Sequence, residues 1–258
     1  VTAPYFDDGQ VQLYLGDVRE ILPQLGIAAD VIVTDCPYGV TSHKWDRWVE
    51  NWPTLAASAA PAMWAFGTLG MFMAHAAEFK SAGWKLSHDV VDVIWEKHNP
   101  SGPDADRFRR IHEQAGLFYR GPWSGVHHEP QRITTGVVER GRVIASHKDI
   151  GHRSAYTGRA DWEDDGTRLQ VSVIRARSMH RMGNIAPTQK PTSVLEQLIR
   201  YSCPRGGMVL DLFAGSASTL VAARACGRRG AGIEGDEAQI EKAAMRLSQG
   251  VLDLGGAA

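Results

Sequence analysis

Two rhythms of apolar and polar positions run along this chain. Compact apolar runs with no internal charge recur at Val31–Val33, Met63–Gly67, Met208–Leu210 and Ala231–Ile233. Such runs read as strands covered on both faces, as in a parallel sheet. Val11-Gln12-Leu13-Tyr14-Leu15 alternates instead, the pattern of a strand with one covered face. Between the strands the period lengthens. Thr192 to Ser202 places Val194, Leu195, Leu198 and Ile199 on one face of a helix. Helices are also predicted from Leu69 to Ala82, Ser218 to Cys226 and Ile240 to Leu247, with a short one from Val18 that stops near Pro23. Trp48 to Ala62 reads as an Ala-rich helix interrupted by Pro53, while Trp84–Trp95 and Ala115–Tyr119 supply further strand. Strands alternating with helices predict an α/β fold built on a doubly wound, mostly parallel sheet.

From Gly121 to about Gly183 this periodicity fades. Only short β segments, Arg142–Ala145 and Leu169–Ile174, emerge between polar turns. A region of that kind inside a compact domain is usually functional or disordered. The expected division is therefore 1–120, an inserted region at 121–183, and 184–258 returning to the first domain.

Composition adds one asymmetry. Residues 97–190 hold 16 Lys and Arg against 10 Asp and Glu, a balance of +6. The remainder holds 12 against 19, a balance of −7, and the two make up the net charge of −1. A basic stretch on an acidic body suggests a nucleic-acid face. Arg132, Arg153, Arg175 and Arg177, set among polar and glycine neighbours, are the first candidates for nucleic-acid contact. No apolar run nears the roughly 18 residues of a membrane span, and the N-terminus lacks the features of a signal peptide. Cys36, Cys203 and Cys226 are too scattered for a disulfide framework or a zinc knuckle. A reducing cytoplasm is the expected compartment. His127, His128, His147 and His152 follow no recurrent zinc spacing, so no metal is expected.

Two stretches carry the candidate chemistry. The run Val31–Thr34 ends abruptly in Asp35-Cys36-Pro37-Tyr38-Gly39, an acid and a ring at the carboxyl end of a strand, where open α/β sheets collect their chemistry. Gly207-Met208-Val209-Leu210-Asp211-Leu212-Phe213-Ala214-Gly215-Ser216-Ala217-Ser218-Thr219-Leu220 is a second buried strand breaking into a glycine turn and a helix. It lacks the dinucleotide fingerprint Gly-x-Gly-x-x-Gly. The pair resembles the DNA amino-methyltransferases, whose motifs are (Asp/Ser/Asn)-Pro-Pro-(Tyr/Phe) and Asp-x-Phe-x-Gly-x-Gly. Catalytic motif first and cofactor motif last is the order of that family's β group. The resemblance covers residues 11–120 and 184–247.

It implies a Rossmann-like methyltransferase sheet using S-adenosylmethionine to methylate an exocyclic amine of a base flipped from double-stranded DNA. Asp35 and the backbone carbonyl of Cys36 would accept the two amine hydrogens, Pro37 would stiffen the loop, and Tyr38 would stack on the base. The loop ending in Trp45-Asp46 resembles a flap over the site, and Phe118 or Tyr119 would line the base pocket. Asp17, Thr188, Lys190, Asp211, Phe213, Ala214, Gly215, Ser216 and Glu234 would hold the cofactor, with Asp17 near its adenine and Thr188 and Lys190 at its methionine end. Asp17 reads equally well as a helix cap. The chain departs from the family at Cys36, where Pro is usual, and at Ala217, where a second Gly is usual. The region 121–183 corresponds to target recognition.

An acid at position 35 favours adenine N6; cytosine N4 is the alternative within the family. From other classes come a catalytically silent DNA-binding module on the same fold and an enzyme acting on RNA or protein amines. A covalent role for Cys36 is disfavoured, because the cytosine-C5 enzymes place Pro before Cys and an adjacent carboxylate opposes a thiolate. A homodimer and a restriction endonuclease counterpart are compatible partners.

Overall fold

The computed structural model describes residues 2–39, 46–87, 92–98, 106, 108–134, 165–177 and 189–249, and the backbone of 142–143 and 160–161. In chain order the elements are β1 (Phe6–Asp7), β2 (Val11–Leu15), α1 (Val18–Leu25), β3 (Val31–Thr34), α2 (Trp52–Ala59), β4 (Ala62–Gly67), α3 (Leu69–Ser81), β5 (Lys85–Leu86), β6 (Asp92–Glu96) and β7 (His112–Tyr119). They continue with β8 (Arg132–Thr134), β9 (Arg142–Val143), β10 (Ala160–Asp161), β11 (Thr167–Leu169), β12 (Val173–Arg175), α4 (Thr192–Ser202), β13 (Met208–Asp211), α5 (Ser218–Ala225), β14 (Arg229–Glu234) and α6 (Glu237–Ser248).

By contacts the chain forms two units, 1–129 with 172–258, and 130–171. The larger unit holds a ten-stranded sheet in the order β1-β2-β14-β13-β3-β4-β7-β6-β12, with β5 paired to β7. Strands β2, β14, β13, β3 and β4 run parallel, and β7 runs antiparallel to both β4 and β6. In the smaller unit β8 pairs with β11 and β9 with β10, both antiparallel.

The central strands form where the sequence is most apolar, and their two faces sort by the period of two. Ile32, Met63, Ala65 and Leu210 face one side, where α1, α2 and α3 add Val18, Ile21, Trp52, Ala56 and Phe79. Val31, Val33, Trp64, Phe66 and Val209 face the other, under Val194, Leu195, Leu198 and Ile199 of α4 and Ala222 and Ala223 of α5. Each fully buried aliphatic side chain contributes roughly 1.5–3 kcal/mol. Ile240, Ala243 and Leu247 of α6 close over Val11 and Leu13. Among the described residues no helix is long and apolar enough to cross a membrane.

Several expectations are corrected. α1 does not stop near Pro23 but runs through it to Leu25 and ends at Gly26 in the left-handed region, φ 58°. Pro23 and Arg19, whose carbonyl loses its partner, both lie on the exposed side, so the missing hydrogen bond faces solvent. Pro53 does not interrupt α2; it falls in the first turn, where a missing N–H costs nothing. The single expected segment Leu169–Ile174 is divided between two strands with different partners, β11 in the smaller unit and β12 beside β6. Of Arg142–Ala145, the last two residues lie outside the described residues.

Candidate functional site

Strands β13 and β3 are neighbours, yet the chain leaves them in opposite directions, from β3 to β4 and from β13 to β14. Their carboxyl ends therefore open a crevice at the point where the sheet order reverses. Thr34 donates to Asp211 Oδ1 across that junction at 2.9 Å and ties the two strand ends together. Both candidate motifs emerge there.

Past Thr34 the loop is held from several sides. Tyr38 Oη donates to Asp35 Oδ1, and Lys190 Nζ donates to Oδ2. Asp46, buried, accepts the backbone N–H groups of Tyr38 and Gly39, each at 2.8 Å. This fixes the turn that carries the ring. Residues 40–45, which include the rest of the expected flap, lie outside the described residues. Burial first, then the Asp35 carboxylate, pushes the Tyr38 phenol well above its ordinary range, so it stays a neutral donor. The Cys36 thiol is pushed up for the same two reasons, and its Sγ points inward toward the Phe66 carbonyl at 3.9 Å. A buried, protonated thiol is no nucleophile.

Lys190 is 7% exposed and stands between two carboxylates. Besides Asp35 it has Glu113 Oε2 at 3.2 Å, while Glu113 also pairs with Lys97. Burial alone would lower the Lys190 pKa, but Asp35 and Glu113 together outweigh it and hold the ammonium above its usual value. For Glu113 burial pushes upward, and Lys190 and Lys97 outweigh it, keeping the carboxylate ionised. The Lys190 charge also lies 5.2 Å from the centre of the Phe66 ring.

The second motif folds as a tight turn. Asp211 is 3% exposed and lies beneath the turn rather than on its face, accepting from Thr34 and from Phe213 N at 3.2 Å. Burial pushes its carboxyl up to about 6. Ala214 N donates to Ile233 O, and Gly215 N to Glu234 Oε2 at 2.7 Å. The other Glu234 oxygen accepts from Asp236 N at 2.8 Å. Gly215 adopts φ 51°, and a Cβ there would meet nothing closer than 4.0 Å, so space lies open over the turn. Ala217, at the family's second glycine position, is also left-handed, φ 58°. Arg246 of α6 braces the turn by donating to Ser216 O and Ser218 Oγ, each at 2.9 Å, and to the Gln189 amide oxygen. An open left-handed turn, backed by acids at two adjacent parallel strand ends, fits the methionine and ribose of a nucleoside cofactor.

A pocket of about 310 Å³ lies between Tyr38, the start of α3 at Thr68, Leu69 and Gly70, and the start of β7 at His112 and Gln114. Because β7 is antiparallel, its beginning, not its end, reaches the carboxyl end of β4: Gly67 pairs with Gln114, Ala62 with Tyr119. Tyr119 is thus at the opposite edge, and Phe118 stacks on Phe79 in the core at 4.6 Å. Neither lines this pocket.

Of the remaining candidates, Asp17 caps α1, accepting Arg19 N at 2.8 Å and the Arg19 guanidinium. Arg132 lies in the smaller unit, bonded to Thr167 at 2.6 Å. Arg175 of β12 pairs with Glu96 at 2.9 Å and Arg177 follows it, exposed, both in the larger unit. Thr188 and Arg153 lie outside the described residues. Among the described residues no group of three His, Cys, Asp or Glu could hold a metal. Glu113, Lys97 and Arg246 were not anticipated from sequence. The charge of Glu113 beside an otherwise apolar strand was the available signal.

Sheet order, switch point, acidic loop and open turn together define a Rossmann-like, S-adenosylmethionine-dependent methyltransferase. A family model described as DNA methylase matches residues 29–245, and the chain belongs to that family of N6/N4 methyltransferases. It is similar to the type II methyltransferase M2.LlaDCHI of Lactococcus lactis subsp. cremoris, 39% identical with 97% of this chain and 94% of that one covered. The type II methyltransferase M2.DpnII of Streptococcus pneumoniae is 23% identical over 96% of this chain and 93% of its own. Among solved structures, the M1.HpyAVI–SAM complex superposes with a TM-score of 0.61 at 21% identity, over 92% of this chain and 99% of that one. The cytosine-N4-specific PvuII DNA methyltransferase gives 0.64 at 15% identity, over 99% and 91%.

Proposed function

We propose that this protein is a site-specific DNA methyltransferase that moves a methyl group from S-adenosylmethionine to the exocyclic N6 of a flipped adenine. The observation that carries the reading is Asp35, a carboxylate at the switch point beside a pocket walled by Tyr38. Bound S-adenosylmethionine supplies an electrophilic methyl on a sulfonium. The amine lone pair of adenine is delocalised into the ring, so it needs two hydrogen-bond acceptors to turn it toward that methyl. A carboxylate has about four lone-pair sites. Tyr38 and Lys190 occupy two, which leaves capacity on Asp35 for one amine hydrogen. The backbone carbonyl of Cys36 takes the other, a role indifferent to the side chain there. Tyr38 offers its ring to the base once it has left the duplex. Glu234 and the backbone of Phe213 to Ser216 hold the cofactor, Asp211 binds it through the turn that it supports from beneath, and Asp17 and Thr188 complete the site.

The region 121–183 reads the DNA sequence in this proposal, and a homodimer and a restriction endonuclease counterpart belong to the same reading. The test is sequencing with modified-base detection of plasmid DNA from cells that express the protein and have no other DNA methylation, with mass spectrometry of its nucleosides to identify the base. N6-methyladenine at a fixed sequence is the expected product. N4-methylcytosine would reassign the base, and unmodified DNA from active, folded protein would point to RNA or protein amines.

A further inference from the structure

Glu113 is a second, largely buried carboxylate for which the proposed reaction has no role. It stands at the start of β7, where that strand reaches the carboxyl end of β4. One side of it pairs with Lys97, just past β6, and Oε2 lies 3.2 Å from Lys190 Nζ. The contact is poorly aligned for a hydrogen bond, so its hold on Lys190 is chiefly one of charge. The directed bond of Lys190 goes to Asp35. Lys97, Glu113, Lys190 and Asp35 thus form a row of alternating charges that cancel, contributed from around β6, β7, α4 and β3.

An ammonium whose side chain is only 8% exposed is costly unless its charge is answered. With Asp35 as its sole partner, Lys190 would collapse onto the very carboxylate that the incoming amine requires. Glu113 attracts it from the other side and fixes Nζ between the two. Lys190 on Oδ2 and Tyr38 on Oδ1 then set the plane of the Asp35 carboxylate. We propose that Glu113 is a positioning residue for methyl transfer, orienting Asp35 by holding Lys190 between two carboxylates. This rests on the reading of Asp35 as the acceptor of an amine hydrogen. A partner needed only to neutralise Lys97 would have no reason to place its second oxygen against Lys190.

The test is a double-mutant cycle on the full chain, with Glu113→Gln, Lys190→Met and the pair together. Single-turnover methylation is followed at saturating cofactor and DNA, alongside calorimetric S-adenosylmethionine affinity and thermal unfolding. Glu113→Gln is expected to slow methylation on the order of 10- to 100-fold, the cost of a misplaced group, with cofactor affinity unchanged. In the Lys190→Met background it should change the rate by less than about twofold, because coupled residues act as one. Should Glu113→Gln fail to fold, Lys97→Met with Glu113→Gln removes the orphaned cation and serves in its place. A wild-type rate in Glu113→Gln, or its full effect persisting without Lys190, overturns the inference. Turnover retained by Asp35→Ala would instead sink the reading of Asp35, whatever the cycle shows.

Discussion

Asp35, Cys36 and Asp211 each show how one side chain's surroundings decide its chemistry. Asp35→Ala is expected to keep the fold and cofactor affinity while turnover falls by about 10²–10³, the usual cost of one preorganised polar contact. Cys36→Pro should stay active, since its thiol is buried and only its carbonyl is assigned a part; methylation rates of the two purified variants decide both points. Asp211 gives a pH prediction with a definite sign. Its folded carboxyl holds a proton up to about 6, above the ordinary value of 3.8. Between those values Asp211 binds more protons in the folded than in the unfolded state, so its own contribution to stability falls as pH rises through the window and is flat above it. Asp211→Asn keeps an acceptor for Thr34 and Phe213 N but cannot ionise. Its unfolding curves from pH 4 to 8 should lack that decline and show a gain of roughly 1–3 kcal/mol at pH 7, with calorimetry showing weakened cofactor binding. A difference in stability between Asp211→Asn and wild type that does not grow with pH across the window would mean that Asp211 is better solvated than its burial indicates.

Turns, at the scale of elements, carry as much information as strands. The cofactor turn needs two left-handed residues, and the chain supplies glycine at only one of them, Gly215. Ala217 adopts the same conformation, φ 58°, fully buried. A Cβ in that region costs on the order of 1–2 kcal/mol, partly offset by the greater entropy that glycine loses on folding. Ala217→Gly should therefore stabilise the protein by about 1 kcal/mol, a rise in Tm of roughly 2–4 °C, read by calorimetric unfolding. An unchanged or lower Tm would show that the surrounding packing needs the methyl group. α1 teaches a related lesson, since an exposed Pro23 leaves the helix intact where a buried one would have ended it.

For the molecule as a whole, the proposed function assigns DNA contact to the stretch that carries the +6 balance and leaves the −7 to the rest of the chain. The candidates lie in both units, Arg132 in the smaller and Arg175 and Arg177 in the larger. Binding to cognate and random duplexes over a salt series should fall with a log–log slope of about 0.9 per phosphate contact. Arg132→Ala, Arg175→Ala or Arg177→Ala should lower that slope by about one where the side chain meets a phosphate, and relax the choice of site where it reads a base. If none of the three alters slope, affinity or preference, the basic stretch is not the DNA face. Arg153 completes the set by sequence alone.

The buried strands, the helices between them and the two motifs were legible because each is a local pattern. A β-branched run, a 3.6 period and an acid or glycine at a strand end need no distant partner to be recognised. Position 217 was visible as a departure from the family's glycine, but its left-handed backbone was not. What the sequence could not reveal was direction and juxtaposition. An apolar run reads the same forwards and backwards, so nothing local showed that β7 is antiparallel and brings His112, Glu113 and Gln114 to the site in place of Phe118 and Tyr119. Lys190 and Asp35 stand 155 positions apart. Their contact, and the Glu113 that shares the ammonium, exist only because the reversal of strand order brings the end of β3, the start of α4 and the start of β7 to one edge of the sheet, where buried charges must find one another.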